Sequence, residues 1–77
     1  MTSTFDGSTF TITATDDGYD VTVTERVFTV TLVTADGGDL VKNATANARA
    51  MVRAGVDAWS ADRIAYCFGL AARALAA

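Results

Sequence analysis

Histidine and proline are both absent from the 77-residue chain, and cysteine occurs once. Without histidine the commonest general base and the commonest metal ligand are missing. A serine or cysteine nucleophile then lacks its usual activating partner. One cysteine cannot build the paired framework of a small secreted domain. Cys67 lies in an apolar run and reads as a buried free thiol in a reducing compartment. The opening residues, Met1 to Asp6, carry neither a basic segment nor an apolar one, so no signal peptide is expected. The longest apolar stretch, 64–77, is too short to span a bilayer and contains Arg73. The expected setting is the cytoplasm, with no membrane partner. There is no internal repeat, phosphate loop or dinucleotide fingerprint. These absences predict a protein that is not an enzyme and takes no cofactor.

Charge is sparse and uneven. The net charge is −3, with −5 on residues 1–38 and +2 on residues 39–77. An acidic chain is a poor general binder of polyanions. Two loops, Asp16-Asp17-Gly18-Tyr19-Asp20 and Asp36-Gly37-Gly38-Asp39, place carboxylates beside glycine. Neither has the ligand spacing of a calcium loop, and turns favour the same residues, so no metal is expected. Asn43-Ala44-Thr45 matches a glycosylation sequon but falls in an expected helix of a chain that is not expected to be secreted.

What is present is patterned. About half the residues are apolar, enough for one core and one domain over 1–77. Residues 9–15 alternate strictly, with Phe10, Ile12 and Ala14 on one face and threonines on the other. Asp17-Gly18 then reads as a two-residue hairpin turn, which sets Ala14 against Val21 and Ile12 against Val23. The apolar parity changes between Val23 and Phe28, so a turn around Glu25-Arg26 is required, pairing Val23 with Phe28 and Val21 with Val30. The expectation is a three-stranded antiparallel meander, order 1-2-3, with strands near 8–15, 19–24 and 27–34. Its outer face carries Thr11, Thr13, Thr15, Thr22, Thr24, Thr29 and Thr31, which strand propensity accounts for. The first and third strands form its open edges, with Val27 and Val33 on the outer face of the third; such an edge can template strand addition.

Two helices should follow on one face of the sheet, giving an α+β fold of type βββαα. The first spans about 39–54, capped by Asp39 and ended by Gly55. The second spans about 60–76, capped by Ser60, with Trp59 and Ile64 as a hydrophobic staple. Asp57 is the competing cap. This second helix is apolar nearly all round: Ile64, Phe68, Ala71 and Leu75 make one stripe, and Tyr66, Leu70, Ala74 and Ala77 another. Small residues also recur at Ala61, Ala65 and Gly69, a spacing that lets another helix approach, either the first helix of the same chain or a partner.

The functional expectation is therefore a small interaction or regulatory domain that self-associates as a homodimer or binds another protein. Its size suits an accessory protein of a phage or mobile element. The candidate interface is Tyr66, Gly69, Leu70 and Ala74, with Val27 and Val33 at the sheet edge. Lys42, Arg49 and Arg53 share one side of the first helix. They make nucleic-acid binding the alternative reading, although no aromatic residue is interleaved with them and no recognition motif accompanies them.

Overall fold

The sheet has four strands rather than three. The computed structural model describes residues 1–5 and 7–77. It contains β1 (Thr2–Phe5), β2 (Ser8–Thr15), β3 (Gly18–Glu25) and β4 (Phe28–Thr34), then α1 (Leu40–Arg53) and α2 (Ala58–Ala76). The strands form one antiparallel meander in the order β1-β2-β3-β4. β1 pairs with β2 through Thr2–Thr11, Ser3–Phe10, Thr4–Thr9 and Phe5–Ser8. The open edges are therefore β1 and β4, and β2 is an interior strand.

The register also differs from the expected one, by two residues in both hairpins. Phe10 stands opposite Val23 and Ile12 opposite Val21, so Asp16-Asp17 forms the first turn and Gly18 opens β3. Val23 stands opposite Val30 and Glu25 opposite Phe28, so the second turn is Arg26-Val27. Arg26 adopts a φ of 55° there. A shift of two leaves every side chain on its expected face, because the strand period is two. It has one consequence for the core: Glu25 is in β3 rather than in a loop, and it is only 4% exposed. One of its carboxylate oxygens lies 3.5 Å from Arg26 Nε.

The inner face of the sheet supplies Phe10, Ile12, Val21 and Val23 to the core. α2 lies across β2 and β3 and adds Ile64, Cys67, Phe68 and Ala71. α1 packs beside α2 towards β4 and contributes Leu40 and Ala44. On the other face, threonines line up across the strands. Thr2, Thr11, Thr22 and Thr31 form one row, and Thr4, Thr9, Thr24 and Thr29 a second. Hydroxyl pairs such as Thr22–Thr31 (2.8 Å) and Thr2–Thr11 (3.1 Å) satisfy one another within these rows.

Both helices are fastened by aspartates. Asp39 precedes α1 but makes no capping bond to its backbone. Its carboxylate instead accepts from the Thr34 hydroxyl and from Asn43 Nδ2, while Thr34 Oγ1 accepts from the Gly37 amide at 2.9 Å. This ties the end of β4 to the start of α1. α1 ends as its glycine predicts: Gly55 has φ 103°, its amide donates to Val52, and the Val56 amide donates to Met51. The cap of α2 is Asp57, not Ser60. Its carboxylate accepts from the Ser60 amide at 2.8 Å and from the Ser60 hydroxyl at 2.9 Å. One carboxylate thereby serves two donors on Ser60, and Ser60 is buried in the first turn. Trp59 accordingly faces outward and makes no staple.

These bonds fix a pH dependence. The Thr34 hydroxyl holds the Asp39 carboxyl below its ordinary value, and the Ser60 amide and hydroxyl do the same for Asp57. A lowered carboxyl stabilises the fold fully above the unfolded-state pKa of about 3.9, and that contribution is lost as pH falls through the folded-state value. The urea midpoint should therefore fall on acidification between about pH 5 and pH 2. An Asp39→Asn, Asp57→Asn double variant should show a flatter fall over that range. An equally steep fall in the variant would remove these two groups as its cause.

Candidate functional site

The first half of α2 meets the β1–β2 hairpin and the β3–β4 turn at one end of the molecule. There Phe5, Trp59 and Tyr66 lie close together, with Arg26 and Arg63 among them. The rings of Phe5 and Tyr66 are 5.2 Å apart, centroid to centroid, and tilted by 42°. The Arg63 guanidinium sits 5.4 Å from the Phe5 ring and 5.3 Å from the Trp59 ring, and Arg26 sits 4.8 Å from Trp59. Both arginines thus lie against the indole. Arg63 Nη2 also donates to the Phe5 carbonyl at 3.1 Å and to Ser8 Oγ at 3.3 Å, which joins α2 to both strands of the first hairpin.

These rings are held without being buried. Trp59 is 54% exposed and Tyr66 52%. A shallow recess is lined by Phe5, Trp59, Asp62, Arg63 and Tyr66. It continues along the helix into a groove flanked by Tyr66, Gly69, Leu70 and Arg73, with Val41 of α1 on its far side. A second groove, between the helices, is lined by Arg49 and Arg53 of α1 and by Asp62 and Ala65 of α2.

The expected interface residues separate into distinct places. Tyr66 and Gly69 lie on the outer groove. Leu70 and Ala74 are half-buried and pack partly against the core. Val27 is 88% exposed in the β3–β4 turn, and Val33 is exposed on the threonine face of β4. Lys42, Arg49 and Arg53 are all exposed on α1, but only Arg49 and Arg53 line the interhelical groove, and Asp62 brings a carboxylate into it. The aromatic–arginine cluster is absent from the sequence-based expectation. Its members come from β1, the β3–β4 turn and α2, and no local spacing connects them.

Cys67 and the Asp36 turn have structural explanations, whereas Glu25 Oε2 is buried without a hydrogen-bond partner among the described residues. Burial pushes the Cys67 thiol up, against a smaller opposing effect of Arg63, so at neutral pH it is a protonated core thiol. Asp36 Oδ1 accepts from the Gly38 amide at 2.8 Å, the turn chemistry expected of that loop. Among the described residues no three acidic, cysteine or histidine side chains converge on a metal position. Nor, among the described residues, is any helix long and apolar enough to cross a membrane. Compared with models of protein families, with curated proteins and with solved structures, the chain matches none.

Proposed function

We propose that this chain is a non-enzymatic protein-interaction domain that docks its partner on the outer face of α2. The observation that carries this reading is the exposed aromatic surface of Phe5, Trp59 and Tyr66 around the half-buried Arg63, next to the Gly69–Leu70 groove. Tryptophan, tyrosine and arginine are the residues that dominate binding energy at protein interfaces. Here their side chains are already ordered by stacking on one another and by the Arg63 bonds to Phe5 and Ser8. Ordering before contact lowers the entropy lost on association. A rigid scaffold also suits the role: the sheet and the core face of α2 fix the helix whose other face is left free.

The test is capture from an extract of the source organism with immobilised wild-type chain and with a Tyr66→Glu, Leu70→Glu variant whose circular dichroism matches it. Proteins retained by the wild type and lost by the variant are expected. Equal retention by both would remove this face as the docking surface.

A further inference from the structure

The outer face of α2 contains a glycine that nothing in the monomer requires. Gly69 lies mid-helix, and a Cβ placed on it would meet nothing within 4 Å. Glycine inside a helix costs stability relative to any ordinary helix former. A position that carries this cost with open space above it is accounted for if another body approaches there.

The residues in line with Gly69 say what that body is. Trp59, Asp62, Tyr66, Gly69, Arg73 and Ala76 recur at alternating steps of three and four, the spacing of a helix seam that packs on another helix. This seam faces away from Ile64, Phe68 and Ala71, which are buried. It is also symmetric in chemistry about the point midway between Cys67 and Phe68. Reversing the helix about that point exchanges Tyr66 with Gly69, Asp62 with Arg73, and Trp59 with Ala76. Each exchange places a large ring on a small residue or an acid on a base. Neither Asp62 nor Arg73 forms an ion pair with a described residue of its own chain.

Resting on the reading that this face docks a protein, we infer that the partner is a second copy of this chain, with the two α2 helices packed antiparallel across a two-fold axis at that midpoint. Tyr66 fills the space over the partner's Gly69, and Asp62 meets the partner's Arg73. Two-fold symmetry makes each contact twice. A parallel pairing would set Asp62 against Asp62 and Arg73 against Arg73, so charge selects the antiparallel form.

The test is size-exclusion chromatography with light scattering over a hundredfold range of concentration. Wild-type chain is expected to reach a dimer. Asp62→Arg and Arg73→Asp should each raise the dimer dissociation constant about tenfold or more, since each creates two like-charge contacts. The Asp62→Arg, Arg73→Asp double variant should recover the dimer. So should an equimolar mixture of the two single variants, which also excludes misfolding as the cause of either loss. Gly69→Gln should weaken the dimer yet raise the melting temperature of the dilute monomer by about 5 °C. A wild type that is monomeric throughout, or a dimer indifferent to both charge reversals, overturns the two-fold packing. If extract capture still depends on Tyr66 and Leu70 in that case, the docking face stands and only the second copy is lost.

Discussion

Replacing Gly18 with alanine is expected to remove most of the stability of the fold. Gly18 opens β3 opposite Thr15 with φ 151°. A Cβ there would lie 2.3 Å from the Thr34 carbonyl oxygen and 2.7 Å from Ala35 Cα. Both are backbone atoms, so no side chain can rotate aside. Thr34 is itself held by its pairing with Tyr19, by its hydroxyl bond to Asp39 and by the Gly37 amide. Making room means moving the end of β4 and loosening the start of α1 together. The expected loss is about 3–5 kcal/mol, most of the roughly 5 kcal/mol available to a domain of this size. Gly55→Ala isolates the conformational part: its φ is 103°, but nothing lies within 4 Å of the new Cβ, so about 1 kcal/mol is expected. Urea unfolding followed by circular dichroism measures both. Equal losses would mean that the approach of Thr34 and Ala35 to Gly18 contributes nothing.

The same glycine explains why the register was misread. Asp17-Gly18 has the composition of a hairpin turn, and a turn there sends Ala14, Val21 and the other apolar residues to one face. Moving the turn back to Asp16-Asp17 sends them to the same face. Face patterning fixes a strand's register only modulo two, and the deciding contact, Gly18 against Thr34 and Ala35, is tertiary. The missing strand has another cause. Thr2 to Phe5 is a short edge strand whose residues are mostly exposed, so it lacks a strong apolar alternation. Its signal was the Asp6-Gly7 dipeptide between Phe5 and Ser8, the hairpin composition already used for the next turn. Asp57 displaced Ser60 as the cap because one carboxylate satisfies both the amide and the hydroxyl of a buried serine.

On α2 the expected interface residues and the exposed residues overlap only in part. The apolar pattern alone points to Tyr66, Leu70, Ala74 and Ala77. Leu70 and Ala74 belong partly to the core flank. The free face is centred a little further round the helix and contains Asp62 and Arg73, which a hydrophobicity count passes over. The aromatic–arginine cluster needed the fold: Phe5 reaches Tyr66 only through the strand that the sequence had not declared.

The two faces of α2 should separate sharply in stability. Phe68 is fully buried among the core residues of the sheet and of α1. Truncating it to alanine removes its burial and leaves a cavity that the surrounding strands cannot close, at an expected cost of about 3–5 kcal/mol. Tyr66 lies on the same helix two residues earlier, half exposed, with the Phe5 ring as its aromatic contact. Tyr66→Ala should cost about 1 kcal/mol or less in the monomer. Urea unfolding at dilute concentration compares the two without a contribution from association. At high concentration the order of importance should change: the wild-type midpoint should rise with concentration and that of Tyr66→Ala should not. Phe68→Ala would remove most of the scaffold's stability, whereas Tyr66→Ala would leave it folded and remove its linkage to a partner. A Tyr66→Ala variant that loses as much as Phe68→Ala would mean that Tyr66 is a structural residue, and the outer face of α2 would then have no ring to offer a second chain.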